Sequence, residues 1–342
     1  MSKGLRKTTI YDIAEASGAS PTAVSMVLNG RGKEHRIKPD TASRILRLAA
    51  EMGYSPNLKA RGLRLSRSGL GGMILPHYRN RFFAGLAETF EAEVRHRGLC
   101  PIVVSTQRDP VNEMRVTEVL LAQQIEFLFI TGVHDPNPLN KLCAAAGVPC
   151  INVDLPGDGA PSVISDNRGG AFALTEILVA KLEAQMRPVD DWFFFGGVSH
   201  DNSTRERIEG FRQALAKRGV SVPDDAFDCQ GYSPAVAEKA LGERYRRLGR
   251  LPSSLFINGI TGLEGALRFE SGLNAGEFAR TVIGAFDWDP FAAHLPFDLT
   301  MVRQDVEAMV SASFALLDDY RPGHNPRVEI PTMMGAATAV SR

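Results

Sequence analysis

Cysteine is scarce in this chain of 342 residues, with four at Cys100, Cys143, Cys150 and Cys229. They show no CxxC spacing and no histidine partners, which argues against a disulfide framework or a zinc site and suits buried free thiols in a reducing cytosol. No metal or other cofactor is expected. Long apolar runs are missing as well: none approaches ~18 uninterrupted residues, so no segment is expected to span a membrane. The opening MSKGLRKTTIYDIAEASG holds no apolar run of the signal-peptide kind, and the expected location is the cytoplasm. Nucleotide-binding glycines are lacking too. The first strand runs into PHYRNRFFAGL rather than GxGxxG, no P-loop occurs, and FFFGGVSH has neither a third glycine nor a downstream acid. GxSxG and HExxH are absent, and no carboxylates pair in a convincing frame. An enzyme is not expected.

Net charge is also lacking, with 39 Lys/Arg against 39 Asp/Glu, but the zero hides an asymmetry. Residues 1–68 carry 13 Lys/Arg and 5 Asp/Glu, while the remaining 274 carry 26 and 34. A basic head on an acidic body can grip phosphates at one end only. The length itself calls for two or three domains.

The head is rich in helix punctuation. Thr8 or Thr9 can cap a helix with Ile10, Ile13 and Ala14 on one face, and Gly18 stops it. Ser20 caps a second helix with Pro21 in its first turn, ending at Asn29-Gly30. A third starts near Pro39 and sets Ile45, Leu48, Ala49 and Met52 at i, i+3, i+4, i+7, with Gly53 at its end. Two short helices across a glycine turn predict a helix-turn-helix: small Ala14 allows close approach, Gly18 permits the turn, and Val24 locks the pair. An ordinary three-helix bundle meets the same spacing, but the positive charge favours DNA. Beyond it, Asn57 can cap a two-turn helix too short to stand alone.

From Leu70 onward, apolar strands alternate with helices. Strands are expected near residues 72–76, 101–105, 127–130, 150–153, 191–195, 254–258 and 281–286. Helices are expected at 82–97, 112–123, 167–184, 203–218, 233–248 and 262–271. Such alternation implies doubly wound parallel sheets, here in two lobes, with ligands at the carboxyl ends of strands.

TTIYDIAEASGASPTAVSMVLNG followed by GYSPNLKARGLRL resembles the head and hinge of the lactose-repressor (LacI/GalR) family, and VLNGRGKEHRIKPDT its fructose- and sucrose-type repressors. The likeness runs to about residue 305. It implies an all-α helix-turn-helix head (1–55), a hinge helix and linker (56–68), and an α/β body (69–342) whose two lobes are of periplasmic-binding-protein type. The implied partners are a near-palindromic operator duplex, a sugar or phosphorylated-sugar effector, and a second copy of the chain in a homodimer or tetramer. The implied function is an effector-controlled transcriptional regulator, most simply a repressor, of carbohydrate metabolism genes. The rival is a solute-binding protein without a transcriptional role, which the basic head and the missing signal peptide oppose.

The resemblance assigns DNA contacts to Thr9, Tyr11, Ser20, Pro21, Thr22, Ser25, Met26 and Asn29. Pro21 and Met26 depart from the family pattern, so the operator sequence does not carry over: Pro21 offers no donor and Met26 only apolar contact. Lys33, His35 and Arg36, with Lys7, would hold phosphates. In the hinge, Asn57, Ala60 and Leu63 would meet the duplex, Leu63 as a minor-groove wedge. Effector contacts fall on Asp154, Arg207, Tyr232, Asn258, Asp287 and Gln304. The extra residue in GAFDWDPF leaves Asp287 and Asp289 in competition. Arg79 and Phe83 would face the cleft beside Asn80 and Arg81, and with Arg205 and Arg207 they point to an anionic ligand. Solvated loop charges are the alternative for Arg79 and Arg81.

Overall fold

The computed structural model describes residues 8–54, 68–273 and 276–335. The expected hinge contacts Asn57, Ala60 and Leu63, and Lys7 of the head, lie outside the described residues. The chain forms two compact units, Met1–Arg67 and Ser68–Arg342.

In the first unit, α1 (Ile10–Ser17) starts at Thr9, whose side chain accepts from the Asp12 amide while Asp12 accepts from the Thr9 amide. This reciprocal box satisfies two of the amides that a helix start leaves unpaired. Gly18 ends the helix at φ 62°, a left-handed conformation that costs glycine nothing. Ser20 then caps α2 (Pro21–Leu28), accepting from the Ala23 amide at 3.2 Å. The third helix, α3 (Pro39–Glu51), has no side-chain cap but carries Pro39 at its first position. Ile13, Ala14, Val24, Val27, Ile45 and Ala49 meet in one buried cluster. Each fully buried Ile or Val there contributes about 1.5–3 kcal/mol, so so small a unit depends on every member.

The second unit holds two six-stranded sheets. The first consists of β1 (Leu70–Leu75), β2 (Cys100–Ser105), β3 (Phe127–Thr131), β4 (Cys150–Val153), β5 (Ser162–Ser165) and β13 (Arg327–Ile330), in the order β13-β5-β4-β3-β1-β2. The second holds β6 (Trp192–Phe195), β8 (Phe227–Asp228), β10 (Ser254–Ile257), β11 (Val282–Phe286), β12 (Leu299–Arg303) and β14 (Met333–Gly335), in the order β14-β12-β11-β10-β6-β8. All ladders within both sheets are parallel except β12 with β14. β7 (Gly197–Val198) and β9 (Gln230–Gly231) form a separate antiparallel pair. Strands such as β3, β4, β6, β10 and β11 are buried along their whole length, as parallel strands covered on both faces must be.

The helices of the body are α4 (Arg81–His96), α5 (Pro110–Ala122), α6 (Pro136–Ala145), α7 (Asn167–Ala184), α8 (Asn202–Ala216), α9 (Pro234–Leu248), α10 (Ile260–Glu270) and α11 (Val306–Asp318). The expected helices and strands are present with ends shifted by one or two residues. Not foreseen are α6, β5, the short β7, β8 and β9, β12, α11, β13 and β14. The last three arise because the chain returns to each lobe after leaving it: α11 packs in the first lobe's core and β13 joins its sheet, while β14 goes back to β12 of the second. Buried thiols are expected at all four cysteines; Cys143 and Cys150 are buried, Cys229 is half-buried, and Cys100 is exposed because it opens the edge strand β2. No described helix is long and apolar enough to cross a membrane.

Candidate functional site

On the head, the start of α2 is open to solvent, with Ser20 engaged as its cap. Ser20, Pro21, Thr22 and Asn29 are exposed, Ser25 and Met26 half-buried, and Tyr11 is 74% exposed. Thr9 is exposed but engaged as the cap of α1, bonded to Asp12. Asn29 donates to the Ser25 carbonyl at 2.7 Å, which ties the end of α2 to its middle turn. The turn-rich segment after α2 exposes Lys33, His35 and Arg36, with Arg31 paired to Glu34 at 2.8 Å. A rigid helix start bordered by cations is the geometry that fits a phosphate-lined groove.

In the body, the carboxyl ends of both sheets face one another across a cleft. Phe83, Asp154, Arg207, Tyr232, Asn258, Asp287 and Gln304 line one cavity, together with His77, Asn80, Arg108, Ser203 and Thr261. Asp154 follows β4 and Asp287 follows β11, and both adopt left-handed backbone, φ 71° and 64°. Such φ values are uncommon outside glycine, and Asp tolerates them better than most; each turns a carboxylate off its strand end into the cleft. Gly197, φ 80°, lies where an added Cβ would collide with Asn258 and Thr204, so its close approach keeps Asn258 in place.

The second lobe holds its polar side chains firmly. Arg207 is 5% exposed; its Nε donates to Asn167 at 2.8 Å, its Nη1 to the Asn258 carbonyl, and it lies over the Phe286 ring at 3.8 Å. Asn258 donates to Thr204 at 2.9 Å, and the Tyr232 hydroxyl donates to Asp201 at 2.6 Å. Direct bonds also cross between lobes: Asn80 donates to Asp287 at 2.9 Å and Ser165 to Gln304 at 2.7 Å, while Gln304 donates to Asp287 at 2.8 Å. Arg108 reaches from the first lobe to Asp201 at 3.4 Å and stacks on Tyr232 at 4.2 Å.

Within this set four buried polar atoms have no hydrogen-bond partner: His77 Nδ1, Arg108 Nε, Asp154 Oδ1 and Asn258 Oδ1. Burial pushes Asp154 up to about 7, with Arg207 and Arg108 opposing the rise and Asp287 and Asp201 adding to it. His77 is lowered by burial and by the positive charge of Arg108 and Arg79, which favours its neutral ring. Tyr232 is pushed up to about 12, chiefly by burial.

Several expected arginines stand elsewhere. Arg79 is exposed and lines an adjoining outer cavity of about 1040 Å³ rather than the cleft. Arg81 is exposed and paired with Asp289, and Arg205 is exposed on α8. Asp289 caps the short turn Pro290–His294, accepting from the Phe291 amide at 3.1 Å, which leaves Asp287 as the carboxylate in the cleft. The inference of an anionic ligand from clustered arginines loses most of its basis, because those side chains are solvated or neutralised. Sequence reasoning missed His77, Arg108, Ser203 and Thr261. The signal that singled out Asp154, directly after its strand, does not mark Arg108, which lies three residues beyond Ser105 at the end of β2.

The family description "Bacterial regulatory proteins, lacI family" matches residues 9–57, and "Periplasmic binding proteins and sugar binding domain of LacI family" matches residues 69–247. The sucrose operon repressor of Klebsiella pneumoniae is 30% identical over 324 residues, 94% of this chain and 94% of that protein. The ribitol operon repressor of Klebsiella aerogenes is 44% identical over 193 residues, 56% of this chain and 72% of that protein. Among solved structures, the lac repressor dimer bound to operator and the anti-inducer ONPF superposes with a TM-score of 0.79 at 21% identity, covering 98% of this chain and all of that one. That likeness concerns the fold. Both family descriptions and a relative matched end to end agree with the helix-turn-helix and the two-lobed body, and the chain belongs to the LacI family of bacterial transcriptional regulators.

Proposed function

We propose that this regulator represses genes for the use of a neutral sugar or sugar alcohol, which binds between the two lobes and shifts the protein between operator-holding and operator-releasing states. The carrying observation is the set of unpartnered atoms around the cleft: His77 Nδ1, Arg108 Nε, Asp154 Oδ1 and Asn258 Oδ1. Leaving buried polar atoms unpaired costs about 1–3 kcal/mol each, more when charged, and hydroxyl groups that both donate and accept remove that cost together. The charges support a neutral ligand. Arg108 and Arg207 in the cleft are answered by Asp154 and Asp287, so a phosphate there would meet two carboxylates. The similarity to a ribitol operon repressor makes ribitol the first candidate.

The head reads operator DNA through the start of α2, with Ser20, Pro21, Thr22, Ser25 and Met26 toward base edges and Lys33 and Arg36 toward phosphates. Asn57, Ala60 and Leu63 form the hinge contact, and two copies bind a near-palindromic site. We place the boundaries at 1–55, 56–68 and 69–342. The protein acts in the cytoplasm, by binding rather than by catalysis.

One observation favours a second reading. Arg79 and Arg108 both line the outer cavity that adjoins the cleft, where a phosphate on one end of a sugar would project. Thermal shift with ribitol, other pentitols, free sugars and their phosphate esters separates the two. A ligand at ~100 times its Kd adds ~2.7 kcal/mol to stability. Stabilisation by a neutral polyol supports the first reading, by phosphate esters alone the second, and by none of these classes neither. A gel-shift assay on the operator then reports whether the hit releases DNA.

A further inference from the structure

The second lobe contains a cavity of about 280 Å³ that shares no lining residue with the effector cleft. It lies at the sheet edge, where β8 pairs with β6 and α9 packs nearby. Two charged side chains in its wall each hold an unmet hydrogen-bonding atom: Arg244 Nε and Asp228 Oδ1 are buried and have no partner. Arg244 is only 9% exposed, and its other nitrogens are occupied. Nη1 donates to the Asp225 carbonyl at 3.2 Å and Nη2 to the Trp192 carbonyl at 3.5 Å. The second oxygen of Asp228 accepts from Gln230 at 3.2 Å. At the rim, Arg247 pairs with Asp225 at 2.9 Å, and Glu243 stands 3.8 Å from Lys239.

Nη1 also lies 3.6 Å from the Asp225 carboxylate, which Arg247 shares, so the Arg244 charge is partly answered while its Nε is not. A guanidinium N–H and a carboxylate oxygen left without hydrogen bonds in one wall both cost stability. A simple anion would answer Arg244 and be repelled by Asp228; a simple amine would do the reverse. One small molecule carrying both charges answers both, and the smallest common class is the free α-amino acid. The volume lies just below that of pockets for drug-sized ligands, which suits so small a molecule. We propose that this cavity is a second ligand site, for a free α-amino acid whose carboxylate meets Arg244 and whose ammonium meets Asp228. Burial also raises the Asp228 carboxyl, a penalty that a neighbouring ammonium reverses.

The site has a short path to the cleft. Residues 228–232 carry Asp228 at one end and Tyr232, a cleft residue, at the other. Between them β9 pairs with β7, which leads to Asp201, the acceptor of the Tyr232 hydroxyl. Occupancy therefore bears on how Tyr232 is held, and the amino acid modulates effector affinity; that coupling rests on the function proposed above, whereas the binding itself does not.

The test is thermal shift on the full chain with the common L-amino acids, one at a time at millimolar concentration. At least one is expected to raise Tm by about 2–4 °C, as ~1 kcal/mol of linkage does for a domain of this size. Asp228→Asn, which preserves shape, is expected to abolish the shift, and Glu243→Gln at the rim to reduce it. Arg207→Ala, in the cleft, is expected to keep it. Arg244 itself is a poor target because its bonds to Asp225 and Trp192 also hold the fold. No response to any amino acid, a response that Asp228→Asn retains, one that phosphate or ammonium alone reproduces, or one lost in Arg207→Ala would each overturn the assignment.

Discussion

The head and the body meet their ligands with opposite kinds of surface. On the head, Ser20, Pro21, Thr22, Lys33 and Arg36 are exposed, and the caps and core that hold them are complete without DNA. In the cleft, Asp154, Asn258, Arg108 and His77 keep buried atoms unpaired. A surface for a long polyanion is already solvated and draws on summed charge, whereas a cleft for a small ligand concentrates its binding energy in a few desolvated groups. Substitutions should therefore separate affinity from stability on the head and join them in the cleft.

The largest expected effect comes from breaking the head's core. Ile13→Ala should cost about 2–4 kcal/mol, more than so small a unit can spare, and abolish operator retardation. The thermal transition of the body should stay where it is, since the two units are separately compact. A body that melts earlier in this variant would mean that the two regions are not independent.

Next in size is Arg207→Ala. It removes a guanidinium held by Asn167 and the Asn258 carbonyl, and ligand binding should weaken by about 100-fold. Operator affinity without effector should be unchanged. Titration calorimetry with the effector and gel shift without it give the two halves. Loss of operator binding would show that Arg207 stabilises the body rather than answering the ligand.

Asp154→Asn sharpens the contrast through pH. The carboxyl is held near 7 in the folded protein, above its ordinary 3.8, so the folded state binds its proton more tightly. The stability tied to that proton is complete below pH ~4 and is lost as pH rises through 7. Asp154→Asn should thus be close to neutral at pH 4 and stabilise the ligand-free body at pH 8, by about 1–3 kcal/mol after allowance for partial exposure. Effector affinity should fall at the same time. Equal Tm differences at both pH values would remove the buried, unpaired carboxylate from the account.

What was legible in the sequence follows the same division. Head helices are punctuated locally, by Thr9, Gly18, Ser20 and Gly53, so their limits could be read from neighbours alone. In the body, the rule that ligands meet strand ends brings Asp154, Asn258 and Asp287 to one cleft, because parallel strands all present the same end. It could not show that Arg81 turns to Asp289, or that Arg205 faces water, since those outcomes depend on pairings between distant segments. Arg108 escaped for a related reason: it sits beside Gln107 in two consecutive left-handed residues, φ 56° and 59°, a turn without apolar periodicity to mark it. The returning elements α11 and β13 were missed because nothing in their periodicity says which lobe they join.

The smallest effect expected tests the head's claim to be complete in itself. Thr9 was assigned to DNA by resemblance, but in the structure it caps α1 and shares hydrogen bonds with Asp12. If capping is its main task, Thr9→Ala should cost about 1 kcal/mol of head stability and Thr9→Ser almost nothing, since serine caps as well. At temperatures where the head stays folded, neither should alter discrimination between operator and random duplex. A direct base contact predicts a different pattern, in which Thr9→Ala relaxes the preference at one position of the operator by about 1–3 kcal/mol while the melting of the head scarcely moves. Head melting followed by circular dichroism, alongside competition binding to operators mutated one position at a time, distinguishes them. Relaxed specificity without lost stability would return Thr9 to the interface and show that on the head, too, one side chain serves fold and ligand together.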